Sequence, residues 1–506
     1  MRTIPLLAAL CTTTLLHAQP VADSLAGKYA GTITREDLRR DLEFLASDAL
    51  EGRDTGEKGQ KMAAAYIRQH FVNAGIPPVP VQEGIADGYY QPFDLEVEQL
   101  GALALRSGTR EFRFMEEILY FDQSAATDGR QVDELVYLGD GTDLTRAGDL
   151  RGRAVWAAPE GGSAMSVMMW LRQYAERLAE SGVDLLLIST GELGPVKESV
   201  GRFVTGRRMR LPDPERAPTA DGGMQVVLIG DEAMAVLIGS PKKMAKLRKK
   251  KPGRKVPVEF TVVKPQDPAT VRTENVLGYI EGTDKKDELV IVTAHYDHEG
   301  IKNGEVYNGA DDNASGTVAA LAIAQAFARA KAAGHGPRRS VLVMPVSAEE
   351  KGLLGSRYYS DHPVFPLEAT VANLNLDMVG RIDSAHMQSG PYLYVIGSDR
   401  LSTELHAINE AANAHVGLEL DYRFNAEDDP NKFYFRSDHY NFARKGIPSI
   451  FYFSGVHPDY HTPADTADKV RFDLLHKRTL LVFRTAWELA NRAERIVVDK
   501  PLPEGR

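Results

Sequence analysis

The stretch ELVIVTAHYD at residues 288–297, an Ala-rich segment at about 317–333 and SVLVMPVSAEE at residues 340–350 together decide the fold class. The two outer segments are continuous apolar runs of strand length, and the segment between them has the composition of a helix. Continuously apolar strands that alternate with helices are typical of a parallel sheet covered by helices on both faces. We therefore predict an α/β fold with a mostly parallel central sheet.

The same alternation continues on either side of this stretch. Further strands are predicted at NVLGYIEG, EATVANLNLDMVG, PYLYVIG and IPSIFYF, and further helices near 402–413 and 472–493. Nearer the N-terminus, Thr34 with Asp37 three residues later is a helix-capping signal. Residues 57–74 carry an apolar stripe at helical spacing that ends at Gly75. These helices are predicted to cover the sheet.

Residues 116–262 have a different texture, with short β-like runs separated by Gly, Asp and Pro and one helical segment near 164–181. We predict an inserted β-rich domain here. The predicted organisation is a signal peptide at 1–18, a first part of the main domain at 19–115, the insert at 116–262 and the rest of the main domain at 263–506.

The N-terminus has the composition of a secretory leader. The chain starts MR, continues through the apolar run IPLLAALCTTTLL and reaches a small residue at Ala18, which predicts cleavage and export to the periplasm or medium. Cys11 is the only cysteine, so a mature chain is expected to lack disulfides and thiolate ligands. A formal net charge of -10 argues against nucleic acid as a partner, and no later apolar run is long enough to span a membrane.

Six acidic or imidazole side chains lie where predicted strands give way to loops. They are His295, Asp312, Glu349, Glu350, Asp377 and His461. Four of them directly follow an apolar strand, one follows the strand IPSIFYF by a short loop, and Asp312 lies in the turn NGADDNASG. In such sheets the ligand site lies beyond the carboxyl ends of the strands. The sequence therefore predicts that one crevice contains all six side chains.

Two imidazoles with this set of carboxylates can hold two divalent ions and still supply a base. Asp312 is the candidate for bridging the ions, because a Gly/Asn-rich turn can bring its carboxylate between them. Two dications are balanced by Asp312, Glu350, Asp377 and one hydroxide, and uncompensated charge is costly in a partly buried site. Glu349 is then unligated and is predicted to act as the general base for hydrolysis by a metal-bound hydroxide.

Neighbours of these residues are predicted to support the reaction. Asp297 is a candidate acceptor for the second ring N–H of His295, and Asp465 is a weaker candidate for His461. Tyr460, next to His461, is a candidate donor to the oxyanion of a tetrahedral intermediate.

Two other motifs suggest different classes of hydrolase. AHYDH resembles the HxHxDH motif of β-lactamase-type metallohydrolases, but Thr293 stands where that motif needs its first histidine. RSDHYNF places a serine, an aspartate and a histidine together, yet a serine triad depends on spatial geometry and not on adjacency. Arg436, Asp438 and His439 of this motif are predicted to line a substrate pocket.

At these residues the chain resembles the di-zinc aminopeptidases of metallopeptidase family twenty-eight, in clan MH. The resemblance rests on RDTGEKGQKMAAAYIRQHFVNAGI, AHYDH, GADDNASG, SAEEKGLLGSRYY, NLDMVG, RSDHYNFARKGIPSIFYF and YHTPAD. It implies the fold of the zinc-dependent exopeptidases, which is phosphorylase/hydrolase-like, and two Zn²⁺ per chain. The implied ligand sets are His295, Asp312 and Asp377 for one zinc, and Asp312, Glu350 and His461 for the other. Glu349 matches the family's general base, and Tyr460 matches a transition-state donor of some members.

The insert is similar to the protease-associated domain of several relatives, through GDLRGRAVWAAP and AERLAESGVDLLLIST. The resemblance implies a secreted aminopeptidase that removes N-terminal residues from peptides. One alternative is a carboxypeptidase or dipeptidase, in which Arg436 would hold the substrate carboxylate. Another is a non-catalytic binding protein with a structural metal, against which the intact Glu349 argues. Zinc is the favoured metal, although cobalt or manganese also fits the ligands, and the sequence leaves the oligomeric state open.

Overall fold

The computed structural model describes residues 19–80, 85–98, 103–120, 129–159, 164–191, 193–194, 196–197, 208–213, 224–263 and 269–502. The predicted signal peptide at 1–18 lies outside these residues. The chain divides into two compact units, of which the second is Leu95–Val271 and the first comprises the chain on either side of it. Among the described helices, none has both the length and the apolar character required to cross a membrane.

A seven-stranded sheet forms the centre of the first unit. Its strands, in spatial order, are Gly278–Ile280, Arg339–Val346, Lys285–His295, Thr370–Leu376, Ser449–Phe453, Tyr392–Ile396 and Glu419–Asp421. The four strands from Arg339–Val346 to Ser449–Phe453 are mutually parallel, and an antiparallel strand flanks them on each side. The predicted α/β fold with a mostly parallel sheet is confirmed.

Both faces of this sheet are buried beneath helices. In the strand that ends at His295, Val290 belongs to a hydrophobic cluster that includes the helix Gly316–Ala332. Its neighbour Leu289 belongs to a different cluster that includes Tyr359. Because successive side chains of a strand point to opposite faces, a strand buried on both faces needs an apolar residue at every position. This requirement explains the continuous apolar runs of the sequence.

The connecting elements of the first unit agree with the sequence signals. Its helices are Gln19–Ala30, Arg35–Leu45, Lys58–Asn73, Gly316–Ala332, Leu354–Asp361, Thr403–Asn413, His439–Ala443 and Phe472–Asn491. Short 3-10 helices at Asp48–Arg53, Leu367–Ala369, Ser384–His386, Arg423–Asn425, Phe433–Phe435 and Ala467–Lys469, a hairpin of Gly300–Lys302 and Glu305–Tyr307, and a π-helical turn at Ala310–Ser315 complete it. The Thr34 hydroxyl accepts a hydrogen bond from the Asp37 N–H, as the capping signal predicts.

The second unit has its own eight-stranded sheet. In spatial order its strands are Arg110–Arg113, Ala104–Ser107, Arg254–Val263, Arg130–Tyr137, Ala154–Ala157, Leu185–Thr190, Gln225–Gly230 and Ile118–Tyr120. Its helices are Ala164–Glu180, Asp231–Leu237 and Pro241–Arg248, and a short strand Arg208–Arg210 pairs with residues 96–98.

The boundaries of this unit differ from the predicted 116–262. The unit begins at Leu95, because the strand Ala104–Ser107 pairs with Arg254–Val263 and belongs to the same sheet. The chain enters and leaves the unit through the strands Tyr90–Glu98 and Ala269–Val276. The resemblance of the unit to a protease-associated domain stays a prediction.

Replacement of glycine by alanine is expected to have opposite effects at Gly59 and Gly27. Both lie in helices, where replacing Gly by Ala normally stabilises by about 1 kcal/mol. At Gly59, however, a Cβ would lie 1.8 Å from the Leu50 carbonyl oxygen, whereas at Gly27 the nearest atom is a side-chain nitrogen of Arg484 at 3.6 Å. We expect Gly59→Ala to lower the thermal unfolding midpoint and Gly27→Ala to raise it. A rise for Gly59→Ala would contradict the close approach of this helix to the preceding 3-10 helix.

Candidate metal centre

The carboxyl ends of the parallel strands lie at one edge of the central sheet. His295 is the last residue of its strand, Asp377 directly follows Thr370–Leu376, and Glu349 follows Arg339–Val346 after two residues. Asp312 lies in the π-helical turn that leads into the helix after the first of these strands. The strand order of the sheet therefore accounts for the convergence of residues that are far apart in sequence.

Asp312 lies between two imidazoles. Its Oδ1 is 3.2 Å from His295 Nε2, and its Oδ2 is 2.9 Å from His461 Nε2. Asp377 Oδ1 lies 3.2 Å from His295 Nε2, and Glu350 Oε2 lies 3.2 Å from His461 Nε2. The two oxygens of one carboxylate thus face two separate groups of donors, as a bridging ligand requires. The structure brings all five predicted ligands together.

Glu349 lies slightly farther from this cluster. Its Oε2 is 3.9 Å from His295 Nε2, compared with 3.2 Å for the carboxylate oxygens of Asp312 and Asp377. Burial, with further contributions from Glu350 and Asp377, raises the pKa of Glu349 well above its usual range, against the attraction of His295. A carboxylate in such surroundings is a stronger base than an exposed one, which suits it to proton transfer.

The charges of the cluster favour a bound cation. Burial opposes protonation of His461, but hydrogen bonds to Asp312 and Glu350 raise its pKa to about 11. Burial likewise opposes protonation of His295, and Asp377 and other carboxylates raise its pKa well above its usual range. The imidazoles thus experience a strongly negative potential from closely packed carboxylates. Nitrogen and oxygen donors converging in such a potential fit divalent metal ions.

Asp297 acts differently from its predicted role. His295 Nδ1 lies 3.1 Å from the backbone oxygen of Asp297, so this ring N–H donates to the carbonyl, while the Asp297 carboxylate is 3.8 Å away. That carboxylate instead accepts hydrogen bonds from the Thr55 hydroxyl at 2.9 Å and from the Glu349 N–H at 3.2 Å. Asp297 therefore positions both a ligand and the candidate base.

The predicted role of Asp465 as the orienting partner of His461 is wrong. Asp465 Oδ2 accepts hydrogen bonds from the backbone N–H groups of Asp311 and Asp312, at 2.9 and 3.1 Å. The Nδ1 atom of His461, on the side of the ring away from Asp312 and Glu350, lies 3.3 Å from Oε1 of Glu299. Asp465 therefore fixes the backbone of the bridging residue, and Glu299 has the orienting position.

Two of the three predicted pocket residues cannot line an open pocket. Asp438 and His439 each have 0% exposure, and the His439 ring stacks on Phe451 with centroids 5.0 Å apart. These two predictions are wrong, because a side chain that solvent cannot reach does not contact a diffusing substrate. Arg436 is exposed, and its guanidinium lies 4.9 Å from the centroid of the Phe433 ring. A substrate contact of Arg436 stays a prediction.

Tyr460 lies beside the candidate ligand His461. The two rings stack with centroids 3.9 Å apart, and Tyr460 is partly exposed. Burial, with smaller contributions from Asp312 and Glu350, raises the pKa of the Tyr460 phenol above its usual value. The phenol therefore keeps its proton at neutral pH and is able to act as a donor.

Besides Glu299, sequence reasoning missed two further side chains that contact candidate ligands. His298 is fully buried, and its Nδ1 lies 2.9 Å from Glu350 Oε1. Ser437 donates a hydrogen bond to Asp377 Oδ2 at 2.7 Å. A signal for His298 was present, because AHYDH contains a second imidazole three residues after the first. Ser437 was overlooked because it lies in RSDHYNF, where a serine, an aspartate and a histidine are adjacent and suggest a catalytic triad.

Three of the loops that carry the candidate ligands and the candidate base contain left-handed backbone conformations. Ala348, just before Glu349, has φ 61°, Met378, just after Asp377, has φ 52°, and His461 itself has φ 53°. Non-glycine residues in this region cost roughly 1–3 kcal/mol each, and such residues cluster at functional sites. The chain thus accepts local strain at positions next to the candidate base and the candidate ligands.

Comparison with known sequences shows a family match for part of the chain. Residues 275–486 match the sequence profile of Peptidase family M28. This segment of the chain is therefore similar to peptidase family M28. The M28 segment contains all five candidate ligands and Glu349, and the residues before 275 lie outside it.

Two curated relatives resemble the chain over less than half of its length. A probable zinc metalloprotease of Pyrenophora tritici-repentis is 29% identical over 267 residues, which are 44% of this chain and 53% of that protein. The aminopeptidase YwaD of Bacillus subtilis strain 168 is 28% identical over 231 residues, which are 44% of this chain and 46% of that protein. The chain thus spans about half the length of the curated relatives it matches.

A solved structure shows the same fold. The aminopeptidase from Aneurinibacillus sp. strain AM-1 aligns over 95% of this chain and 100% of its own, with a TM-score of 0.53 and 22% sequence identity. At this identity the likeness concerns the fold alone. It agrees with the predicted fold of the zinc-dependent exopeptidases.

Proposed function

We propose that this protein is a zinc aminopeptidase that binds two Zn²⁺ per chain and removes N-terminal residues from peptides. The observation that carries the proposal is the position of Asp312, whose two oxygens face His295 and His461 at 3.2 and 2.9 Å. Imidazole nitrogen and carboxylate oxygen are the donors that catalytic zinc uses. The similarity to the aminopeptidase YwaD of Bacillus subtilis supports the aminopeptidase part of the proposal.

Each zinc would be held by a histidine, an unshared carboxylate and the shared carboxylate of Asp312. The proposed ligand sets are His295, Asp377 and Asp312 for one ion, and His461, Glu350 and Asp312 for the other. When bound, the ions would lower the pKa of a water molecule and polarise the scissile carbonyl group. Three protein ligands per ion leave room for water and substrate.

The remaining steps belong to the side chains around the ligands. Glu349 accepts the proton of the attacking water on its carboxylate and delivers it to the nitrogen of the leaving amine. The Asp297 carboxylate holds the backbone of Glu349 in place through the 3.2 Å hydrogen bond. Tyr460 donates its phenolic hydrogen to the oxyanion that develops on the attacked carbonyl.

The test is the metal dependence of hydrolysis. We expect a chelator to abolish cleavage of aminoacyl-nitroanilides and added zinc to restore it, with two ions counted per chain by elemental analysis. Peptides with blocked N-termini are expected to stay intact. Cleavage of blocked peptides alone would replace the aminopeptidase by a carboxypeptidase, and binding of zinc without any cleavage would indicate a non-catalytic binding protein.

We also propose that the protein acts after export, in the periplasm or the medium. This part of the proposal rests on the apolar segment IPLLAALCTTTLL near the N-terminus and on the small residue Ala18.

A further inference from the structure

A short segment outside the M28 match contacts three of the loops that carry candidate ligands. Residues 53–55 have the sequence Arg-Asp-Thr and follow the 3-10 helix that ends at Arg53. We call them the RDT segment. The sequence RDTGEKG contributes to the family resemblance, but the proposed chemistry assigns it no role.

Arg53 joins two of these loops through its guanidinium group. The side chain has 1% exposure and donates hydrogen bonds to the backbone oxygens of Tyr296 at 2.8 Å, Asn308 at 2.7 Å and Gly309 at 2.9 Å. Tyr296 directly follows the first histidine ligand, and the other two residues lead into the turn that contains Asp312. A single buried side chain therefore fixes the separation of the two loops.

The other two residues reach the third loop. The Thr55 hydroxyl donates to Asp297 Oδ2 at 2.9 Å, and the other oxygen of that carboxylate accepts the Glu349 N–H at 3.2 Å. Asp54 Oδ1 lies 2.7 Å from the ammonium nitrogen of Lys351, which follows the two glutamates in sequence. The segment thus contacts the loop that contains Glu349 and Lys351 directly through a salt bridge and indirectly through Asp297.

The charge of Arg53 suits this position. Burial lowers the pKa of the guanidinium to about 10, and the nearby carboxylates of Asp297 and Asp312 oppose the decrease. Arg53 is therefore charged at neutral pH. The hydrogen bonds of its guanidinium group go to backbone oxygens. Its positive charge therefore partly balances the nearby carboxylates of Asp297 and Asp312.

We propose that the RDT segment is a positioning element that fixes the relative placement of the three ligand-bearing loops and thereby sets the affinity of the site for metal. Its residues touch backbone and outer side chains and none of the candidate ligand atoms. This inference rests on the proposed function, because it presupposes that the cluster binds metal. Groups that hydrogen-bond directly to ligands typically contribute 10–100-fold to metal affinity, so the RDT segment, one residue farther from the ligands, is expected to contribute less.

The experiment compares Thr55→Val with Thr55→Ser in the full chain. Valine keeps the shape and removes the hydroxyl, whereas serine keeps the donor. Zinc affinity is measured by competition with a chromophoric chelator. We expect Thr55→Val to bind zinc up to roughly 10-fold more weakly and Thr55→Ser to bind it nearly as tightly as the wild type. Arg53→Lys, which keeps the charge but loses the planar set of donors, is expected to weaken binding as well.

Thr485→Val is the matched control, because Thr485 is also fully buried and its hydroxyl donates hydrogen bonds to Asn409 and Leu481, in another part of the unit. It is expected to lower thermal stability without changing zinc affinity. Equal zinc affinity of Thr55→Val and the wild type would overturn the positioning role, as would an equal loss in Thr485→Val. If the wild-type chain itself binds no zinc, the proposed function fails first.

Discussion

Glu349→Gln is expected to retain both zinc ions and to lose about 10²–10⁴-fold in kcat, the usual contribution of a general base. Glutamine has nearly the same shape, but its amide cannot accept a proton from the attacking water. Retention of metal is expected because the Glu349 carboxylate lies 3.9 Å from His295 Nε2, beyond the two carboxylates at 3.2 Å. The measurements are kcat on an aminoacyl-nitroanilide and zinc content after dialysis.

Glu350→Gln provides the matched control, because the two glutamates are adjacent and both follow the same strand. Glu350 Oε2 lies 3.2 Å from His461 Nε2, so its replacement is expected to lower zinc content as well as activity. The pair separates loss of a base from loss of a ligand. Full activity of Glu349→Gln, or loss of zinc from it equal to that from Glu350→Gln, would exclude the assigned role.

The central sheet and the convergence of the candidate ligands could be predicted from the sequence because both depend on local pattern. A strand covered on both faces must be apolar throughout, and in a parallel sheet the residue that follows each strand lies at the same edge. These two rules are sufficient to place His295, Glu349 and Asp377 together. Asp312 required a further inference from its turn, whose π-helical geometry has no simple sequence signature.

The partners of the ligands were harder to predict, because proximity in sequence is a poor guide to proximity in space. Asp465 lies four residues after His461, yet its carboxylate binds the backbone at Asp311, 154 residues away in sequence. The contact between Arg53 and Gly309 spans 256 residues. A hydrogen bond of this range leaves no periodicity in the chain, so only the folded structure reveals it.

The limits of the second unit were misjudged for a related reason. The strand Ala104–Ser107 is short and has only two fully buried residues, so its pattern does not show which sheet it joins. Its antiparallel pairing with Arg254–Val263 decides the matter. Pairing between strands that are distant in sequence is a tertiary property, whereas the buried strand Leu185–Thr190 is recognisable from composition alone.

Asp312→Ala is expected to have the most severe effect on metal content, because under the proposed function this carboxylate would serve both ions. Its oxygens lie 3.2 Å from His295 Nε2 and 2.9 Å from His461 Nε2, so the substitution removes one ligand from each group. Activity is expected to fall by roughly 10³-fold or more, since the metal ions contribute several kcal/mol to transition-state stabilisation. Zinc per chain and kcat/KM are the measured quantities.

Asp377→Ala distinguishes a shared ligand from an unshared one. Asp377 Oδ1 lies 3.2 Å from His295 Nε2, and Ser437 holds its other oxygen, so this substitution affects one of the two groups. We expect Asp377→Ala to keep about one zinc per chain under conditions in which Asp312→Ala keeps none. Equal zinc content in the two variants would contradict the bridging position of Asp312, and with it the arrangement in which one buried turn between two histidines organises the whole centre.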